Sequence, residues 1–209
     1  MLVATAVVAE RDAILAGLAG QDEGITVAAV GAGPAAAAAG TARLLALAEA
    51  AGQPYRAVIS AGIAGGFPGR ATLGAVVLSS RSLQADLGAE APEGWQSLDQ
   101  LGFGTVVAPV DATLLATLQS RLPAAVVGEV LTVATVTGTA SRAEALATSH
   151  PAAVAEAMEG YGVGYAAGAA GAAFAELRTV SNLVGPRDRS AWRIADALSA
   201  LTDAALALV

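Results

Sequence analysis

The chain has 209 residues, enough for one α/β domain with a large core and too few for two ordinary ones, so residues 1–209 are expected to form a single domain. It is 55% hydrophobic and 14% charged, with no cysteine, no lysine, one histidine and a formal charge of −7. These counts exclude disulfides, thiolate zinc sites, cysteine nucleophiles, lysine-based covalent or phosphate-loop chemistry and a multi-histidine metal centre, and they oppose a nucleic-acid-binding surface.

Residues 2–9 are apolar enough for a first strand and lack the basic leader of a signal peptide. Glu10 to Leu18 have helical spacing with acids in the first turn, so Glu10 stands where a strand hands over to a helix. An acid there is also what the helix dipole favours by itself. Residues 25–30 read as a second strand, ending in Gly31-Ala-Gly-Pro34, and 35–50 as an Ala/Leu helix. Residues 55–61 are a third strand, and Gly62-Ile-Ala-Gly-Gly-Phe-Pro-Gly69 a loop whose exposed amides suit close approach to a small polar ligand. A strand at 74–79 precedes an extended insertion, 82–104, that carries Glu90, Trp95 and Phe103 and is expected near a pocket mouth.

Residues 111–120 look helical, and 130–136 form a strand ending in the hydroxyl-rich Thr137-Gly-Thr-Ala-Ser141. His150, before Pro151, reads as a surface or structural residue. Residues 152–158 fit helix or strand equally, and Glu159 precedes a small-residue helix beginning Gly160-Tyr-Gly-Val. Residues 175–181 make a strand that stops at Ser181-Asn182, followed by Gly185-Pro186, an arginine-rich loop and a last helix from about Ser190 to Leu208. Trp192 in that stretch reads as a core residue rather than an aromatic shelf. The alternation predicts a single three-layer α/β/α domain with a mostly parallel mixed central sheet, and ligands in open sheets of this kind lie beyond the carboxyl ends of the strands. Apolar runs are broken by Gly, Pro or charge before about 18 residues, so no membrane span is expected. The cysteine-free composition fits the cytoplasm.

Four of these strand-end segments occur in the order seen in the purine nucleoside phosphorylase and nucleosidase superfamily, which the chain resembles over essentially its whole length. Ala6-Val-Val-Ala-Glu10 is similar to the glutamate-bearing first segment of the adenosylhomocysteine and methylthioadenosine nucleosidases. Ser60-Ala-Gly-Ile-Ala-Gly-Gly66 resembles their ribose and base loop, which implies Gly62, Ala64 and Gly65 as substrate-binding positions. Pro151 to Glu159 resembles their Met-Glu segment, implying that Met158 and Glu159 face the ribose. Arg178-Thr-Val-Ser-Asn182 resembles the segment that runs into their purine-contacting acid.

Two positions depart from the adenine-specific pattern: Ala157 stands where a second glutamate is usual, and Asn182 where the purine-contacting residue is an aspartate. Ser181-Asn182 followed by Gly-Pro-Arg-x-Arg-x-Ala-Trp-Arg193 resembles the futalosine hydrolase branch, as does Leu87-Gly-Ala-Glu90. The resemblance implies hydrolysis of futalosine to hypoxanthine, on the futalosine route to menaquinone, by a homo-oligomer without metal or cofactor. Glu10 would orient and deprotonate water, with Asp12 as the alternative, while Glu159 holds two ribose hydroxyls and Asn182, oriented by Ser181, meets N7 or O6 of the base. Arg187 and Arg189, with Arg193, are candidates for the benzoate carboxylate of futalosine, since carboxylates favour bidentate arginine partners. The alternatives are a 6-oxopurine nucleoside phosphorylase, which needs a phosphate site where Glu10 stands, an adenine-type nucleosidase, and a non-catalytic nucleoside-binding module.

Overall fold

The computed structural model describes residues 1–92 and 94–209. In chain order the elements are β1 (Leu2–Thr5), α1 (Val8–Leu18), β2 (Thr26–Ala29), α2 (Pro34–Ala50), β3 (Ala57–Gly66), β4 (Val76–Gln84), β5 (Gly88–Ala91), β6 (Gly94–Ser97), β7 (Val107–Pro109), α3 (Ala112–Arg121), β8 (Val126–Thr132), α4 (Ala140–Ser149), β9 (Ala153–Ala157), α5 (Gly160–Ala169), β10 (Ala173–Leu183) and α6 (Ile194–Ala204). Strands run parallel in the pairs β1–β2, β1–β3, β3–β10, β4–β8 and β8–β9, and antiparallel in β4–β10, β3–β9 and β4–β7, so the sheet is mixed.

Successive residues of the central strands go to different cores. Val3, Ile59 and Leu177 pack with Ile14 and Leu18 of α1 and Leu201 of α6, whereas Leu2, Val58 and Phe174 pack with Ala37 and Leu45 of α2 and Val163 of α5. Strands covered on both faces read as continuous apolar runs rather than as alternating patterns. Each buried Val, Leu, Ile or Phe side chain among them stabilises the fold by about 1.5–3 kcal/mol. Among the described residues no helix is long and apolar enough to cross a membrane.

The sheet closes on itself, where the sequence pattern predicts an open one. β10 pairs with both β3 and β4, and the ring is completed through β8 and β9 back to β3, leaving β1 and β2 as an extension of one side. Two long strands, β3 and β10, make this possible: long strands coil, and a bulge between Val180 and Asn182 adds local twist.

Several boundaries differ from expectation for local reasons. Residues 6–9 leave the first strand, because Glu10 accepts hydrogen bonds from the backbone of Ala6 and Val7 and starts α1 at Val8. That cap outweighs the strand preference of two valines. The glycines from Gly62 to Gly66 are not a loop; they continue β3, hydrogen-bonded to β10 and β9. Residues 133–136 lie beyond β8, and 153–157 resolve as strand β9. Helix α4 is unanticipated, although Thr139 caps it by accepting from the Arg142 N–H at 3.2 Å and Ala143 and Leu146 mark its buried side. The 82–104 segment holds the end of β4 and the β5–β6 hairpin; its residue 93 lies outside the described residues.

Candidate active site

Glu10 is the third residue of α1, one short turn after β1, and this places its carboxylate between two strand ends. Oε2 accepts from the N–H of Ala6 at 2.9 Å and Val7 at 3.2 Å, and Oε1 from Ile63 N–H at 2.9 Å. A carboxylate has about four acceptor positions, so these three bonds hold it rigidly and leave one position open. The side chain is 3% exposed. Asp12, the alternative base, lies outside: its side chain is 57% exposed and paired with Arg11 at 2.7 Å.

Gly62 explains why β3 carries glycine here. A Cβ at this position would sit 2.5 Å from Glu10 Oε1 and 3.0 Å from Arg178 Nη1. Gly62→Ala is therefore expected to displace Glu10, lowering turnover at least tenfold and stability by about 1–3 kcal/mol, the usual cost of overpacking. Parallel measurement of kcat and the urea midpoint checks this; wild-type values for both would mean that the carboxylate is not held in that position.

Glu159 follows β9 at the N-terminal boundary of α5, and its carboxylate turns away from the helix, with Oε1 accepting from Gly33 N–H at 3.1 Å and Oε2 from Arg178 Nη1 at 3.3 Å. Arg178 is 1% exposed and also donates from Nε to Glu176 Oε1 and from Nη2 to Ser60 Oγ, each at 2.9 Å. Glu176 takes a further bond from the Ser82 hydroxyl. Burial by itself would lower the pKa of Arg178, but Glu176, Glu159 and Glu10 outweigh it and hold the guanidinium above the ordinary arginine range. Burial pushes the Glu176 carboxyl up, against the pull of Arg178 and Ser82. Arg178, Glu176 and Ser60 are absent from the sequence-based candidates. The available signal was the spacing Glu176-x-Arg178 in an otherwise apolar strand, which puts two charges on one covered face where each needs a partner.

Asn182 lies further along the same strand pair. The bulge leaves Ser181 without a partner on β3 and sets Asn182 opposite Gly65. Ser181 Oγ lies 2.9 Å from Asn182 Oδ1 and 3.2 Å from the Ala64 carbonyl, and Asn182 Nδ2 donates to the Leu183 carbonyl at 3.0 Å. The serine thus engages the amide oxygen, and the NH2 lies over Gly65, 3.2 Å from where a Cβ there would sit. Met158 is half-buried next to Glu159. Gly65 lies three residue steps beyond Gly62, so the carboxylate–arginine cluster and Asn182 are roughly 10 Å apart along the strand.

Arg187 and Arg189 are not in the cluster. Both are exposed, with guanidinium carbons 5.6 and 5.8 Å from the Trp192 ring centroid, a cation–π arrangement that makes the half-buried Trp192 a shelf rather than a core residue. The loop they sit on is tied back to the site by Arg193 N–H, which donates to the Ser181 carbonyl at 2.7 Å. His150 ends α4 and is half-buried. An apolar cavity of about 380 Å³, lined by Pro34, Ala35, Leu87, Tyr161 and Tyr165 among others, opens beside Gly33 and Glu159. A larger one, about 840 Å³, is lined by Glu90 and Trp95 of the hairpin with Arg81, Arg142 and His150, and by none of Glu10, Glu159 and Asn182. The hairpin therefore borders a cavity, though not the one beside the cluster. Among the described residues no three His, Cys, Asp or Glu side chains converge as metal ligands would.

Comparison with known proteins identifies the family. Residues 7–209 match the family model of the phosphorylase superfamily. The chain is 49% identical to the futalosine hydrolase of Streptomyces coelicolor over 98% of its own length and 92% of that protein. It is 38% identical to the futalosine hydrolase of Thermus thermophilus, covering 75% of this chain and 71% of the relative. Among solved structures, native futalosine hydrolase of Helicobacter pylori superposes with a TM-score of 0.80 at 17% identity, over 99% of this chain and 95% of that one. A methylthioadenosine/adenosylhomocysteine nucleosidase of Colwellia psychrerythraea in complex with adenine gives 0.77 at 19% identity, over 99% and 94%. At such identities these two structures bear on the fold alone.

Proposed function

The chain belongs to the phosphorylase superfamily and, within it, to the futalosine hydrolases, and from that premise we propose that it hydrolyses the N-glycosidic bond of futalosine, releasing hypoxanthine, on one three-layer α/β/α domain spanning residues 1–209. The carrying observation is the separation of a buried carboxylate–arginine cluster at Gly62 from an oriented amide at Gly65. A nucleoside presents ribose hydroxyls to the first and a purine to the second. Glu159 accepts from the ribose hydroxyls while Arg178 fixes its other face. Glu10 uses its open acceptor position to orient water and take its proton as the oxygen bonds to C1′ and the C1′–N9 pair moves onto the purine. Asn182 donates to N7 or O6 of the departing base; an amide has no acidic proton, so water protonates the purine.

Phosphorolysis is the less supported chemistry. The position after β1 carries Glu10 rather than a phosphate-binding glycine loop, and the charge of Arg178 is balanced by Glu159 and Glu176. A phosphate dianion placed there would meet carboxylates. The exposed arginines on Trp192 lie five and seven residues beyond Asn182 in the chain, and the reading assigns them to the benzoate of futalosine. Self-association is part of the same proposal, supported by the apolar groove at Leu87 and Tyr161 and the exposed Tyr165.

Hypoxanthine release from futalosine in phosphate-free buffer tests the reading, with inosine and methylthioadenosine as comparison substrates. Release at an undiminished rate is expected. An absolute phosphate requirement, with a sugar 1-phosphate as product, would replace hydrolysis by phosphorolysis.

A further inference from the structure

Glu156 and Thr137 have no part in the chemistry above, yet they flank the base end of the site. Glu156 of β9 pairs with Gly65 of β3, and Gly65 pairs in turn with Asn182 of β10. Strands lie about 4.8 Å apart, so two strand spacings, roughly 10 Å, separate Glu156 from Asn182, and residues opposite one another share a face. The residue between them is a glycine. A Cβ on Gly65 would lie 3.2 Å from Asn182 Nδ2 and 3.0 Å from Val184 Cγ2, so the amide reaches back across β3 and Val184 supplies an apolar floor. Glu156 and Asn182 therefore stand on one face of the sheet, on either side of a residue that has no side chain.

Glu156 is 6% exposed and makes no ion pair among the described residues. Its oxygens are held by Thr137, whose N–H donates to Oε1 at 2.9 Å and whose hydroxyl donates to Oε2 at 2.5 Å. Burial raises its pKa, opposed by the Thr137 bonds and by Arg142 and supported by Asp86. A carboxyl group desolvated to this degree without an ion pair is costly, and two bonds leave acceptor positions on it unused.

We propose that Glu156, held by Thr137, is a specificity-determining residue that accepts a hydrogen bond from N1–H of a 6-oxopurine whose N7 or O6 meets Asn182. This rests on the futalosine reading above. The chemistry discriminates by itself: hypoxanthine carries a proton on N1, whereas a 6-aminopurine has a bare lone pair there, which a carboxylate oxygen repels. The difference is expected to be roughly ten- to a hundredfold, the scale of one buried polar group left without a partner.

Calorimetry on the wild-type protein with hypoxanthine and 1-methylhypoxanthine provides a test that requires neither a variant nor turnover. The methylated base, lacking the N1 proton, is expected to bind at least tenfold more weakly; equal affinities overturn the proposal. Glu156→Ala, which removes the acceptor and opens space, should abolish that difference. In Glu156→Gln, kcat/KM for futalosine relative to its 6-amino analogue should fall ten- to a hundredfold. If both substrates lose rate equally and the two bases are still distinguished, Glu156 merely anchors the 133–139 loop through Thr137 and the proposal fails. Absence of futalosine turnover by the wild type refutes the parent reading alone, because the base-binding comparison decides the Glu156 contact separately.

Discussion

Glu10→Gln is expected to lower kcat by about 10²- to 10⁴-fold, the usual contribution of a positioned general base. Both oxygens of Glu10 accept from backbone N–H groups, Oε2 from Ala6 and Val7 and Oε1 from Ile63. An amide of the same shape must turn its NH2 towards one of these donors. The orientation that keeps more bonds leaves the NH2 facing Ile63 N–H, so the variant loses its basic lone pair and one anchoring bond together. Glu159 and Asn182 remain in place, so KM should change only a few-fold, the pattern of a group that acts chiefly in the transition state. Steady-state hypoxanthine release gives both parameters. Asp12→Asn, at an exposed ion pair with Arg11, should stay within twofold of wild type. Near-full activity in Glu10→Gln would show that the water is activated elsewhere.

The second large effect is on stability. Arg178→Met should lower the unfolding free energy by about 3–5 kcal/mol, because removing one partner of a buried pair strands the other charge. Here two carboxylates are stranded: Glu176 keeps only the Ser82 hydroxyl, and Glu159 keeps only Gly33 N–H. Against the 5–15 kcal/mol that typically separates folded from unfolded domains, the loss is large. Lysine at this position cannot reach Glu176, Glu159 and Ser60 together, since it offers one ammonium in place of a fork, and should recover only part of it. Urea unfolding of Arg178→Met, Glu176→Gln and the double variant forms a cycle in which the neutralised Glu176 should restore part of the stability. Additive losses would show that the two side chains do not interact.

The candidate residues most legible from sequence are those that follow a short apolar run. Glu10, Glu159 and the Ser181-Asn182 pair each stand at or just beyond a strand's carboxyl end, and a strand can be recognised from its own residues. The glycines of β3 were legible as a point of close approach but not as a strand, because their extended conformation depends on hydrogen bonds to β9 and β10, which lie far away in sequence. Trp192 was misplaced for a related reason: an aromatic ring among arginines can serve as core or shelf, and only the neighbours decide which.

Local pattern, without coordinates, determined the α/β class, the strand–helix alternation and the exclusion of thiol and lysine chemistry, because periodicity and residue type are properties of a segment, while the family was legible only through the resemblance of four short motifs. Tertiary structure alone decided that the sheet closes, that Glu10 rather than Asp12 is held among backbone donors, and that Arg178 binds Glu159 and Ser60 from 19 and 118 residues away. A buried ion must find its partner wherever the fold brings one within reach, and strand closure depends on twist and bulges summed over several strands. Neither quantity is written in any one stretch of the chain.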